Sequence, residues 1–155
     1  MVTGNRYRRI LVVLLRIGGG LACTAVFAIF LPTAWMATMH QWLGLGEFPD
    51  AAVTQYLSRS VSAFYAMFGG LTILVSIDVR RFGPVITYLA VGTMAFGVVI
   101  TGVDAMAKMP TYWTLVEGPP TFVIGLVILL LNRRVQRDAH AAAAEADWHG
   151  RSAGE

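Results

Sequence analysis

Four apolar runs separated by short polar stretches decide what this 155-residue chain can become. The first covers 10–31 with only Arg16 inside it, the second 53–77 and the third 85–103. The fourth is apolar from Phe122 to Leu131, behind Pro119, Pro120 and Thr121. Crossing a hydrocarbon core of about 30 Å takes about 20 helical residues at about 1.5 Å each. The first and third runs reach that length directly. The second reaches it when its helix starts near Ala51, with Asp50 as N-cap and Pro49 before it. Hydrocarbon cannot satisfy a backbone N–H or C=O, so such runs cross as helices. Composition agrees, since only 14% of the residues are charged where a soluble domain carries about 25%.

The expected fold is all-α, an integral membrane four-helix bundle over 1–135 with spans at 10–31, 53–77, 85–103 and 117–134. A tail, 136–155, follows as a helical continuation through an alanine-rich stretch and ends in disorder from 147. Arg6, Arg8 and Arg9 ahead of the first run have the form of a signal-peptide start. The run continues eight residues past Cys23, however, so the segment reads as a retained span. Cys23 is the only cysteine, which leaves no disulfide within the chain and no thiolate metal cluster.

Ten of the twelve basic residues fall on one side of this arrangement: Arg6, Arg8, Arg9, Arg16, Arg80, Arg81, Arg133, Arg134, Arg137 and Arg151. Arg59 and Lys108 fall on the other. Positive charge is retained in the cytoplasm, so both termini are expected there, in the inner (plasma) membrane of a cell. No basic patch interleaved with aromatics is present, which removes nucleic acid as a partner.

Between the first two spans, Thr33 is placed to cap a short helix running to Leu43, with Trp35, Met36, Met39 and Trp42 at helical spacing. This reads as an interfacial helix, because tryptophan favours the membrane–water boundary; a lid over a cavity is the alternative use of the same pattern. Leu-Gly-Leu-Gly at 43–46 then turns the chain. Small residues set how closely spans approach in lipid. Gly18, Gly19, Gly20 and Ala22, then Ala63, Ala66, Gly69 and Gly70, then Thr93, Gly97 and Thr101 are the expected seams, inside one bundle or between two copies of the chain.

Ionisable groups at membrane depth need partners. Arg16 is expected to reach the headgroups or to meet Asp78. Gly118-Pro119-Pro120 reads as a helix start, which makes the fourth span short and obliges 111–118 to dip below the interface. Glu117 then lies at the positive end of a helix, with Arg59 as its counter-charge and Asp104 and Lys108 near in sequence. Tyr56, His40, Tyr112 and Trp113 are expected to surround them. This cluster is either a salt bridge tying two spans together or a pocket for the polar head of a lipid or quinone.

Paired histidines for haem, Glu-x-x-His motifs for a di-iron site, a carboxylate at mid-membrane and Ser-His-Asp, P-loop or zinc motifs are all missing. The expectation is therefore no cofactor, no bound metal and no catalytic residue. His140 and His149 beside Glu145 and Asp147 match no metal-ligand spacing and read as a solvated tail.

Leu15-Arg16-Ile17-Gly18, QYLSRSVSAFYAMFGGL (55–71), DVRRFGPVI (78–86) and YWTLVEGPP (112–120) resemble small, uncharacterised bacterial membrane proteins of the DoxX/DoxD-like superfamily. The resemblance covers residues 10–131 in helix number and layout and implies a four-helix bundle of this size. Some DoxX/DoxD-like members are accessory subunits of quinol-linked or thiol-redox systems. With one cysteine, the implied role here does not extend to thiol chemistry. The expected function is that of a non-enzymatic accessory subunit or lipid- or quinone-binding module, with a partner membrane protein or a second copy as possible company. A small enzyme or transporter using Arg59 and Glu117 is the alternative.

Overall fold

The computed structural model describes residues 2–152, with side chains from 5 to 145. Among the described residues there are six helices and no strand: α1 (Val2–Cys23), α2 (Val26–Ile29), α3 (Thr33–Trp42), α4 (Ala52–Val75), α5 (Gly83–Met106) and α6 (Thr111–Ser152). Four stretches are long and apolar enough to cross a bilayer: Asn5–Ile29, Ala52–Val75, Gly83–Met106 and Thr111–Glu145. The chain is a multi-pass helical membrane protein with a short helix, α3, between its first two spans.

Several helix ends differ from the sequence reading. The first span is not continuous: Thr24 and Ala25 form a turn between α1 and α2, and the Thr24 hydroxyl donates to the Leu21 carbonyl at 2.6 Å. That side-chain bond gives the backbone an alternative to the regular ladder. The residue before α3 is Pro32, whose carbonyl accepts from Trp35 and Met36, so Thr33 is the first helical residue and not the cap. Before α4 the cap is Ala51, without a side-chain bond, and Asp50 lies one position outside the helix.

The larger correction is α6, which starts at Thr111 and carries Pro119 and Pro120 in its interior. An interior proline costs about 3 kcal/mol relative to alanine. Leaving residues 111–118 irregular in hydrocarbon would strand many backbone groups, each at several kcal/mol, so the helix wins. The Pro110 carbonyl accepts from the N–H groups of Trp113 and Thr114 at 2.9 and 3.3 Å and starts the helix. No short fourth span remains. At 42 residues α6 is about 63 Å long and continues as helix through Ser152, past the point where the tail was expected to lose regular structure.

Two helices end alike with different residues. After α3, Leu45 N–H reaches the His40 carbonyl and Gly44 N–H reaches Gln41, with Gly44 at φ 68°. After α5, Met109 reaches Asp104 and Lys108 reaches Ala105, with Lys108 at φ 55°. Both are Schellman ends, and only the first has the glycine that a left-handed residue favours. Lys108→Gly is expected to raise the unfolding free energy in detergent by about 1 kcal/mol; a thermal unfolding curve that does not move would contradict the assignment.

The spans form two hairpins. α1 and α2 pack on α4, and α5 packs on α6 along most of its length. α1 also touches α6, whereas α4 barely meets α5. Glycines set the seams. A Cβ on Gly19 would lie 2.8 Å from the Gly69 carbonyl, and one on Gly69 would lie 2.6 Å from the Gly19 carbonyl. Gly97 and Gly118 meet in the same reciprocal way at 2.8 Å, and Gly125 approaches the Ala90 carbonyl at 2.8 Å. Gly118, read from sequence as part of a helix start, is instead a close-packing residue. Gly18, Gly20 and Gly70 face open space.

The hydrophobic core occupies one end, that of the α4–α5 turn: Leu11, Leu15, Val75, Val79, Ile86, Leu89 and Val135. A polar network sits inside it. Asn132, fully buried, donates through Nδ2 to the Gly83 carbonyl at 2.8 Å and to Thr87 Oγ1 at 2.9 Å. Gln136 Nε2 donates to the Val79 carbonyl at 2.9 Å and to Asn132 Oδ1 at 3.4 Å. Arg16 donates to Ser76 Oγ at 3.4 Å and does not use Asp78. Asp78 Oδ1 instead accepts the backbone N–H groups of Arg80 and Arg81, each at 3.2 Å, and shapes the turn.

Candidate functional site

The opposite end, where α5 turns into α6, has no comparable core, and the buried residue that stands out there is a carboxylate. Gly97, Thr101 and Asp104 lie on one face of α5 at steps of four and three, which is one helical stripe. The Gly97–Gly118 contact draws α6 against that stripe and leaves Asp104 only 4% exposed. Its Oδ2 is buried with no hydrogen-bond partner. Glu117, one residue before the contact glycine, is half-buried, and its carboxyl lies within electrostatic reach of both Asp104 and Tyr65. Trp113, one turn earlier on α6, lies beside the Glu117 carboxyl. Three helices therefore contribute: Tyr65 from α4, Asp104 from α5, Trp113 and Glu117 from α6.

Glu117 is the seventh residue of α6, beyond the first turn where a helix dipole is felt, so it is not held at a positive helix end. Arg59 is not its partner. Arg59 Nη2 donates to the Leu31 carbonyl at 3.4 Å, beyond the end of α2, and its Nε is buried without a partner. His40 serves the turn after α3: Nδ1 lies 3.1 Å from the Gly46 carbonyl and the ring meets Phe48 edge-on at 5.6 Å. Tyr56 is exposed on α4. Tyr112 donates its hydroxyl to the Leu43 carbonyl and ties the start of α6 to the end of α3. Trp35, Met39 and Trp42 of α3 are exposed, as tryptophans at a membrane–water boundary would be. Of the six residues expected to converge, Asp104, Trp113 and Glu117 do so; Arg59, His40 and Tyr56 are engaged elsewhere or exposed.

Tyr65 escaped the sequence reading although its signal is present. Ser58, Ser62, Tyr65, Gly69, Thr72 and Ser76 follow one another at steps of four and three, a polar and small seam along α4. Ser58, Ser62 and Thr72 each donate to the carbonyl four residues back at 2.8 Å, so the seam presents hydroxyl oxygens that accept.

No family model, curated protein or solved structure matches this chain.

The chemistry of the cluster is mainly that of acceptors. An ionised carboxylate has no donor of its own, and neither Asp104 nor Glu117 is paired with a cation. Among the described residues no three His, Cys, Asp or Glu side chains gather as a metal site. His140 Nδ1 lies 2.7 Å from the Gln136 carbonyl one turn back; the side chains of Asp147 and His149 lie outside the described residues.

Proposed function

We propose that this chain is a non-enzymatic membrane module that binds an amphiphile, a lipid or quinol, whose polar head donates hydrogen bonds or carries an ammonium group. The head would enter between the two hairpins, where α4 and α5 barely touch, and meet Asp104 and Glu117, with Tyr65 and Trp113 beside them. One observation carries this reading: the unpartnered oxygen of a carboxylate that is 96% buried. A buried charge without a partner costs several kcal/mol, a cost that a donor head from the bilayer would offset. The alternative of an enzyme or transporter built on Arg59 and Glu117 loses the pair it required, because Arg59 turns to Leu31.

The test is Asp104→Asn in the full chain. If the carboxylate is held for a ligand, the variant carries roughly tenfold less co-purifying amphiphile by mass spectrometry. The delipidated variant is also more stable than the delipidated parent by about 1–3 kcal/mol, since an orphan charge has gone. A variant that is less stable and equally loaded with amphiphile would sink the proposal.

The same proposal puts the α4–α5 turn and both termini in the cytoplasm of a bacterial cell, supported by the arginines at that end. A DoxX/DoxD-like affiliation, and an accessory role beside a partner membrane protein, rest on the short motifs quoted above. Reporter fusions after Arg81 and after Glu155 should both report the cytoplasm.

A further inference from the structure

The end of the bundle far from Asp104 holds a groove of a different chemistry. A cavity of about 360 Å³ lies between the start of α1 and α6, lined by Tyr7, Leu130, Leu131, Arg133, Arg134 and Arg137. On α6, Leu130, Arg134 and Arg137 follow at steps of four and three, and Arg133 and Arg137 are one turn apart, so all four share one side of the helix. The Arg134 guanidinium stands 5.7 Å over the Tyr7 ring, which holds it at the groove wall. Among the described residues no carboxylate comes within 4.0 Å of an arginine nitrogen, so the three guanidinium groups have no counter-charge from these side chains. Below them the wall turns aliphatic: Leu130 is 51% exposed and Leu131 is half-buried. Cations above and exposed leucines below, at the point where a span leaves the hydrocarbon, match the profile of a lipid with a negatively charged head.

We propose that this groove is a binding site for an anionic phospholipid, its phosphate held by Arg133, Arg134 and Arg137 and its acyl chains running along Leu130 and Leu131. Guanidinium groups suit this task because their fork of donors meets phosphate oxygens in pairs. The size also fits, since small-molecule sites begin at about 300 Å³. The aliphatic floor is what selects a lipid over free phosphate, which would gain nothing from it. Arginines at helix ends anchor many membrane proteins without selecting a headgroup. What sets this place apart is the shaped cavity and the stacked Tyr7, neither of which general anchoring needs.

The experiment uses the full chain in detergent, with native mass spectrometry reading bound phosphatidylglycerol against phosphatidylcholine. The parent retains phosphatidylglycerol in preference. Arg133→Gln with Arg137→Gln weakens that binding about thirtyfold. Arg80→Gln with Arg81→Gln, which removes the same charge from the neighbouring turn, changes it by less than about threefold. Tyr7→Leu keeps every charge and still weakens binding about fivefold, and it decides the matter should the double groove variant fail to fold. Equal losses from the two double variants would overturn the site, as would an unaffected Tyr7→Leu. Displacement of the lipid by an equal concentration of inorganic phosphate would show that the groove recognises phosphate alone, which overturns the assignment to lipid.

Discussion

A chain carrying Gly118→Leu fails to assemble its α5–α6 hairpin. The two helices touch backbone to backbone at this level: a Cβ on Gly118 would stand 2.8 Å from the Gly97 carbonyl oxygen and 3.0 Å from Thr101 Cβ. Carbonyl oxygens in a helix cannot rotate aside, so the helices must separate. Separation loosens the seam that also contains Gly125 against Ala90. Overpacking a well-filled contact costs about 1–3 kcal/mol, and here the loss of neighbouring contacts adds to it. The same substitution at Gly92, on the same helix but with nothing within 4 Å, serves as control. There leucine removes a glycine from a helix interior and gains up to about 1 kcal/mol. Thermal unfolding in detergent, followed by circular dichroism and by elution of monodisperse protein, separates the two. Equal behaviour of Gly118→Leu and Gly92→Leu would contradict the seam.

The second large effect belongs to Asn132. Aspartate has nearly the same shape, so Asn132→Asp tests the hydrogen bonds and not the packing. The asparagine amide donates to Gly83 O at 2.8 Å and to Thr87 Oγ1 at 2.9 Å from a side chain with no exposure. An ionised aspartate in the same place sets oxygen against the Gly83 carbonyl and introduces a charge at a fully buried position. The expected loss is about 3–5 kcal/mol, the range for a buried charge left uncompensated. Asn132→Ala removes the donors without adding charge and should cost less, about 2–3 kcal/mol, for the orphaned acceptors and the cavity. Unfolding free energies that rank aspartate as milder than alanine would mean the network does not hold α6 to the start of α5.

Both predictions concern residues that the sequence displays plainly and whose roles it does not. Gly118 precedes two prolines, a pattern that in water marks the start of a helix. In hydrocarbon the balance reverses, because an irregular segment has no solvent to bond to, and the helix runs on from Thr111. That shift moves Glu117 off a helix end and turns Gly118 from a breaker into a contact. Arg59 and Glu117 were natural partners in sequence, being the charges nearest the same side of the membrane. Which face of α4 meets α2 decided otherwise, and Arg59 bonds to Leu31 while Glu117 lies within electrostatic reach of Asp104 and Tyr65. Tyr65 was readable in the alternating four-and-three series along α4, a spacing that identifies a seam without saying what lies across it.

What the amino-acid order determined by itself was the crossing of the membrane. The number of spans, the short helix α3 between the first two and the turn at Leu43–Gly46 follow from hydropathy, from apolar spacing and from the glycine a left-handed residue favours. These are local or solvent-driven properties, summed residue by residue, and need no knowledge of neighbours. Only the tertiary structure decided that Gly19 meets Gly69, that Gly97 meets Gly118, and that the core fills one end and leaves a bare carboxylate at the other. Lipid solvates every apolar face equally well, so hydrophobicity cannot choose which faces pair. Close approach of backbones and the bonding of a few polar side chains make that choice, and both depend on residues far apart in the chain.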